Sequence, residues 1–278
     1  MEGATLFADK GLELTEAPHH LLTVERVVAA MRRREDGTLC LRTMAEMANL
    51  SPYHFARTFR KVTGSPPGEL LTAWRLERAK QLLLSTDLGV AEVCYEVGYG
   101  SLGTFTTRFK ELVGLSPGRM RRLPEELHAV LGRAESALGS VSAAHTEAGV
   151  AFRVHDPDLA GGMIFAGLFP TAIPQGRPAA GMVLRAPGTY RLHPLPDGHY
   201  HLMAAALPRT EDPTKLLLPG DALRVGRAPH PLTVRGGKVV GQADVEVALR
   251  PVRSTDPPVL VALPALLLER LASGRDKA

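Results

Sequence analysis

Apolar residues recur at three- and four-residue steps along the first half of the chain and in short alternating runs along the second. In "HLLTVERVVAAMRRRED", Leu21, Val24, Val27, Val28 and Met31 fall on one helical face, and Arg32, Arg33 and Arg34 follow near the end, where cations suit the helix dipole. "AWRLERAKQLLL" sets Trp74, Leu76, Ala79, Leu82 and Leu83 on a similar stripe. From Pro124 a further helix is expected, "EELHAVLGRAESAL", fading into "GSVSAAHTEAG", a small-residue stretch that reads as a linker. After about Gly149 the pattern changes to "AFRVH", "GMIFAGLF", "GMVLRA", "TYRLH", "HYHLMAAAL", "LTVRGG" and "ADVEVALR". Of the 22 prolines, 16 lie beyond Pro124, between these runs, and short strands with frequent turn residues predict an antiparallel β-sandwich or barrel. The closing "PVLVALPALLLERLAS" reads as a helix interrupted at Pro264.

The helical half writes one pattern twice. "SPYHFARTFRKVTGSPPGEL" and "SLGTFTTRFKELVGLSPGRM" align at an offset of 50: Ser51 with Ser101, Phe55 with Phe105, Phe59 with Phe109, Gly64 with Gly114, Pro67 with Pro117, Gly68 with Gly118, and Leu70 with Met120 as an apolar pair. Ser51 suits a helix cap, Pro52 the first helical position and Gly64 the residue past the end, so one helix is expected from Ser51 to about Thr63. Phe55, Phe59 and Val62 form its apolar stripe, leaving Tyr53, Ala56, Arg57 and Arg60 opposite. Upstream, "LRTMAEMANL" supplies a helix ending at Asn49, which tolerates a left-handed turn conformation. In the second copy, "VAEVCYEVGYGS" places Gly98 there, with one residue inserted in the turn. Helix, tight turn and capped helix make helix-turn-helix geometry. The helix from Leu70 to Leu84 would span roughly 22 Å, compatible with two reading helices about one DNA turn, roughly 34 Å, apart.

The whole is therefore expected to hold two domains. An N-terminal tail over 1–18 precedes an all-α double helix-turn-helix bundle over 19–124. A helix and linker over 125–149 lead to an all-β sandwich-like domain over 150–278, which ends in the C-terminal helix. At 278 residues the chain is long enough for this. Its +4 formal charge is unevenly spread: residues 19–124 carry 16 basic and 10 acidic side chains, against 16 and 15 in 125–278. The surplus lies in the repeat, as in the footprint of a polyanion binder. No run of 18 apolar residues occurs and the start lacks a signal-peptide pattern, so a cytoplasmic protein without membrane contact is expected. Cys40 and Cys94, the only cysteines, fall in helical patterns and read as two small core residues in a reducing compartment.

Over about residues 20–123 the chain resembles the DNA-binding domain of the AraC/XylS family of transcription regulators. "SPYHFARTFRKVTG", "WRLERAKQLL", "VAEVCYEVGYGS" and "FTTRFKELVGLSPGRMR" carry the resemblance, in that order. It implies base contacts from Tyr53, Ala56 and Arg57, with Arg60 and Lys61 nearer phosphates and Arg75 on the connecting helix. In the second copy the corresponding positions are Gly103, Thr106, Thr107 and Lys110, with Arg108 one step further round. The family usually has an arginine where Thr107 stands, so the second helix is expected to read less. The partners expected are double-stranded DNA, RNA polymerase, a small-molecule effector and, in a homodimer, a second copy of the chain.

"GTYRLHPLPDGHYHLMAAAL" alternates around a Pro196-Asp197-Gly198 turn, and with "LLLPGDALRVG" and "VRGGKVVGQADVEVALRP" it resembles a transthyretin-like or carboxypeptidase-regulatory-type β-sandwich. Such modules bind or support, which implies sensing, dimerisation or partner contact. His199 and His201 lie two apart on a strand and share a face, with His193 across the proposed hairpin. That raises a metal-dependent sensor or enzyme in the second domain as the alternative to a regulator. No carboxylate or cysteine completes a ligand set, and no G-x-S-x-G, phosphate-binding glycine loop or C-x-x-C occurs. No catalytic residue, metal or cofactor is therefore assigned.

Overall fold

The computed structural model describes residues 13–33, 39–137, 149–156, 162–193, 195–241, 245–266 and 268. Most of the expected tail, the linker over 139–148 and the end of the closing helix lie outside the described residues. The chain divides into two compact units, Met1–Trp74 with Arg253–Pro257, and Arg75–Val252 with Pro258–Ala278.

The first unit holds α1 (Glu13–Arg33), α2 (Leu41–Met47), α3 (Pro52–Thr63) and the start of α4 (Pro67–Ser85). Val24, Val27, Val28 and Met31 of α1 are buried as their spacing predicts. Leu21 is 42% exposed, because the buried register begins only at Thr23 and Val24. The Arg32 guanidinium lies 5.0 Å from the centre of the Trp74 ring, a cation–π contact near the C-terminus of α1. Ser254 Oγ donates to Glu25 Oε1 at 2.8 Å, which ties the short 253–257 segment to the same helix.

The second unit begins with the remainder of α4, on which Leu76, Ala79, Leu82 and Leu83 are buried. It continues through α5 (Val90–Glu96), α6 (Leu102–Val113) and α7 (Pro117–Ala137). The helix expected to start after Pro124 is instead the second part of α7. Met120, Leu123 and Leu127 keep one buried face across the proline, which has no N–H to donate to the Met120 carbonyl.

Seven expected strand runs appear as β1 (Val150–His155), β2 (Met163–Phe169), β3 (Ala180–Leu184), β4 (Gly188–Leu192), β5 (Gly198–Leu207), β7 (Leu232–Arg235) and β9 (Val245–Ala248). β6 (Arg224–Arg227), β8 (Lys238–Val239) and β10 (Arg250–Pro251) join them, as does a short helix α8 (Pro213–Leu217). A three-stranded sheet runs β4-β1-β9, and a larger one runs β10-β6-β5-β2-β3 with β7 and β8 attached through β5. Among the described strands pairing is antiparallel except for β1 with β9, which is parallel, and an isolated bridge between Gly149 and Lys238 is parallel too. The expectation of a purely antiparallel sandwich is corrected to that extent.

The two sheets share one core, with Phe152 and Val154 of β1, Val247 of β9, and Ile164 and Leu202 of the larger sheet buried together. The other face of the larger sheet is buried too, Phe165, Met203 and Ala205 packing with Leu216 of α8 and with Val261 and Leu263. This explains the nearly continuous apolar run of β5, since a strand covered on both sides loses the alternation of a half-exposed one.

The hairpin expected around Pro196-Asp197-Gly198 is not formed, because β4 pairs with β1 while β5 pairs with β2, β6 and β7. Leu192, Leu195 and Tyr200 all enter the shared core, so the chain passes there from one sheet to the other. Pro264 opens the closing helix and does not interrupt it: residues 258–260 are irregular and residues 263–266 helical, with proline in the first turn, where its missing N–H costs nothing. Among the described residues no helix is long and apolar enough to cross a membrane.

Candidate nucleic-acid interface

Each copy of the repeat builds the same unit from local chemistry. In the first, Asn49 takes φ 53°, the Leu50 amide donates to the Ala45 carbonyl at 3.0 Å, and Asn49 N to Glu46 O at 3.0 Å. In the second, Gly98 takes φ 80°, with Tyr99 N to Cys94 O and Gly98 N to Tyr95 O, both at 3.0 Å. These turns end α2 and α5 and launch the helices that follow. Ser51 Oγ accepts from His54 N and Ser101 Oγ from Thr104 N, each at 3.4 Å. Gly64 and Gly114 close α3 and α6 in the left-handed conformation. Phe55 and Phe59 are fully buried with ring centres 5.3 Å apart, and Phe105 and Phe109 repeat this at 5.6 Å.

With the phenylalanines inward, Tyr53, Arg57, Arg60 and Lys61 are exposed along α3, Tyr53 by 81%. Ala56 is half-buried at the edge of that row. Val62, expected on the apolar stripe, is only half-buried, while Thr58 and Thr63 are buried. Thr63 can be buried because its hydroxyl donates to Phe59 O at 2.9 Å, so no polar group is left unpaired.

On α6 the row is shorter. Gly103 and Thr107 are exposed, while Thr106 is half-buried and its hydroxyl donates to the Leu102 carbonyl of its own helix. Lys110 is exposed near the end. Arg108 lies about 100° round the helix from Thr107, and its Nη1 meets Glu111 Oε2 at 3.0 Å in an exposed pair. Arg75 of α4 is half-buried, with Nε 3.7 Å from where a Cβ on Gly98 would stand. Burial raises the Tyr99 phenol pKa, while the nearby Arg75 and Arg108 charges oppose that rise. Arg75 thus belongs with the second turn.

Lys80 was not expected to matter. It is buried to 4% exposure, with Nζ 2.8 Å from Glu77 Oε2 and 2.9 Å from the Val259 carbonyl. The signal was present in the sequence as a lysine at the helical spacing of Leu76 and Leu83.

Cys94 is buried as expected, but Cys40 is exposed at the N-cap of α2, where its backbone N–H donates to Thr43 Oγ1 at 2.9 Å. The cap position is outside the helix and so outside its buried face. His193, His199 and His201 do not come together as a metal site. His199 Nδ1 lies 3.0 Å from Thr233 Oγ1, and His193 follows β4, against Gly149. His201 is half-buried, and burial together with Arg227 lowers its pKa. Among the described residues no three histidine, cysteine, aspartate or glutamate side chains come together as a metal cage.

A helix-turn-helix domain model matches residues 44–123, from within α2 into α7. A protein of Streptomyces lividans described as an AraC-like transcription regulator is 29% identical over 122 residues, which cover 41% of this chain and 40% of that protein. Residues 44–123 are an AraC-type helix-turn-helix domain. The AraC-type domain is also similar to part of the HTH-type transcriptional regulator GlxA of Rhizobium meliloti, 33% identical over 108 residues, or 39% of this chain and 32% of GlxA. Among solved structures, the C-terminal domain of AraT, a response regulator from Geobacillus stearothermophilus, is 36% identical. That match covers 36% of this chain and 84% of AraT's domain, with a TM-score of 0.34. The chain thus spans only about a third of the length of GlxA, and the AraC-type domain is the part to which the likeness applies.

Proposed function

We propose that this chain is a sequence-specific transcription regulator of the cytoplasm that acts by binding double-stranded DNA through its AraC-type domain, with no bond chemistry of its own. One observation carries the reading: a capped helix anchored by two buried phenylalanines presents Tyr53, Arg57, Arg60 and Lys61 outward in one row. In this reading Tyr53, Ala56 and Arg57 meet base edges, and Arg60 and Lys61 meet phosphates. Gly103, Thr106, Thr107, Arg108 and Lys110 line the second contact, with Arg75 behind it. The β region then serves effector sensing, self-association or contact with RNA polymerase.

Selection of binding sites from random duplexes by the full chain tests this. A recovered motif is expected, with affinity that falls steeply as salt rises, because each phosphate contact releases condensed counterions and contributes a slope of about −0.9. Recovery of no motif, or binding insensitive to salt, overturns it.

A further inference from the structure

The two reading helices end differently, although the repeat writes them alike. The last carbonyls of any helix lack partners within it. At the end of α3 the bonds are local: the Gly64 amide donates to the Arg60 carbonyl at 2.8 Å, and the Ser65 amide donates to Thr63 Oγ1 at 3.2 Å. In α6 the equivalent positions are Val113 and Leu115, which carry no polar side chain. There the Gly114 amide repeats the local bond, to the Lys110 carbonyl at 3.1 Å, and the donors to the last two carbonyls come from the β region. Gly176 N, in the connection between β2 and β3, donates to Leu112 O at 2.6 Å, and Ala262 N, after β10, donates to Val113 O at 3.1 Å.

The two donor segments are themselves joined, since the amides of Leu260 and Val261 both donate to the Pro174 carbonyl, at 3.0 and 3.2 Å. Lys80 of α4 then fixes the adjoining stretch through the Val259 carbonyl at 2.9 Å. Gly176 has little freedom in this arrangement. It takes φ 66°, and an added Cβ would stand 3.1 Å from the Glu111 carbonyl of α6.

We infer that the β region positions the second reading helix, its Gly176 and Ala262 amides capping the C-terminus of α6 while buried Lys80 holds the Val259 strap to α4. The inference rests on the DNA-reading function proposed above. Lys80 and Gly176 are positioning residues in this scheme and touch no base. A change in the β region that moves either donor segment therefore alters reading by α6 and leaves α3 as it is.

The test uses full-length wild type, Gly176→Ala and Lys80→Gln, with a duplex selected by the wild type and two versions of it scrambled in one half each. Loss of general stability weakens both halves together. The expected result is that either variant loses about fivefold or more of the affinity contributed by one half only, a coupling of the usual allosteric size, while the other half changes by less than about twofold. Hydrogen exchange of the unbound proteins supplies a second readout: amides of α6 should exchange faster in the variants and those of α3 should not. If Gly176→Ala fails to fold, Lys80→Gln alone decides. Equal losses on both halves, or unchanged exchange in α6, overturn the positioning role even where the wild type binds DNA well. A wild type that binds no duplex overturns the DNA reading, and with it this inference.

Discussion

Cys40 and Cys94 are the same side chain in opposite settings. Hydrogen bonds from Thr43, backbone first and then side chain, lower the Cys40 pKa, and the thiol is exposed. Burial alone raises that of Cys94. Only the thiolate is an effective nucleophile, so reactivity follows both exposure and pKa. An alkylating reagent at neutral pH should therefore modify Cys40 promptly and spare Cys94 until the protein unfolds. Mass spectrometry of partly labelled protein checks this, and equal labelling in native buffer would contradict it. Single residues were legible in the sequence where backbone geometry alone fixed them, as with Asn49 and Gly98 at positive φ. They were not where burial depended on a polar partner. Thr63 goes inside because a carbonyl of its own helix accepts its proton, and Lys80 because Glu77 and Val259 surround its charge. No spacing rule announces such partners, although a lysine on an apolar stripe signals that one must exist.

Among elements, α3 was legible almost to its caps, since Ser51, Pro52 and Gly64 act within one turn of themselves, whereas α7 starts at Pro117 and not after Pro124. Strands were legible by alternation, but their partners were not. Alternation tells which face of a strand is buried and says nothing of which edge it joins. The 193–197 connection looked like a hairpin loop and instead changes sheets. The outward rows of α3 and α6 differ in reach. Arg57 is exposed in the outward row, while its counterpart Thr107 is short, Thr106 has its hydroxyl turned to Leu102 O, and Arg108 is held off the row beside Glu111. A bidentate arginine–guanine contact discriminates by about 1–3 kcal/mol. Arg57→Ala should accordingly relax sequence preference in one half of the selected site by about that amount, and Thr107→Ala should change it far less. Thr107→Arg should sharpen the weaker half, because the position is exposed and already on the row. Site selection with the three variants decides, and a larger loss from Thr107→Ala than from Arg57→Ala would refute the asymmetry.

At the scale of the whole molecule, the expected border between helical and β domains does not coincide with a border in packing. The second helix-turn-helix unit shares a compact unit with both sheets, since α7 packs against α8 and the α6 carbonyls Leu112 and Val113 are capped from the β region. The first belongs with α1 and the 253–257 segment. Sequence periodicity marks where secondary structure changes character, whereas cooperative stability follows contacts that are distant along the chain. Proteins open in contiguous cooperative units, and the free energy of opening is shared within a unit. Native-state hydrogen exchange under mild denaturant should therefore group the slow amides of α5 and α6 with those of β2 and β5, and place those of α2 and α3 in a separate class. A ligand of the β region should by the same logic slow exchange in α6 as well as in the sheets, through mass action on the shared opening. If α5 and α6 instead open together with α2 and α3, the AraC-type domain behaves as one cooperative body. The β region would then be an attachment to it and not part of the scaffold of α6.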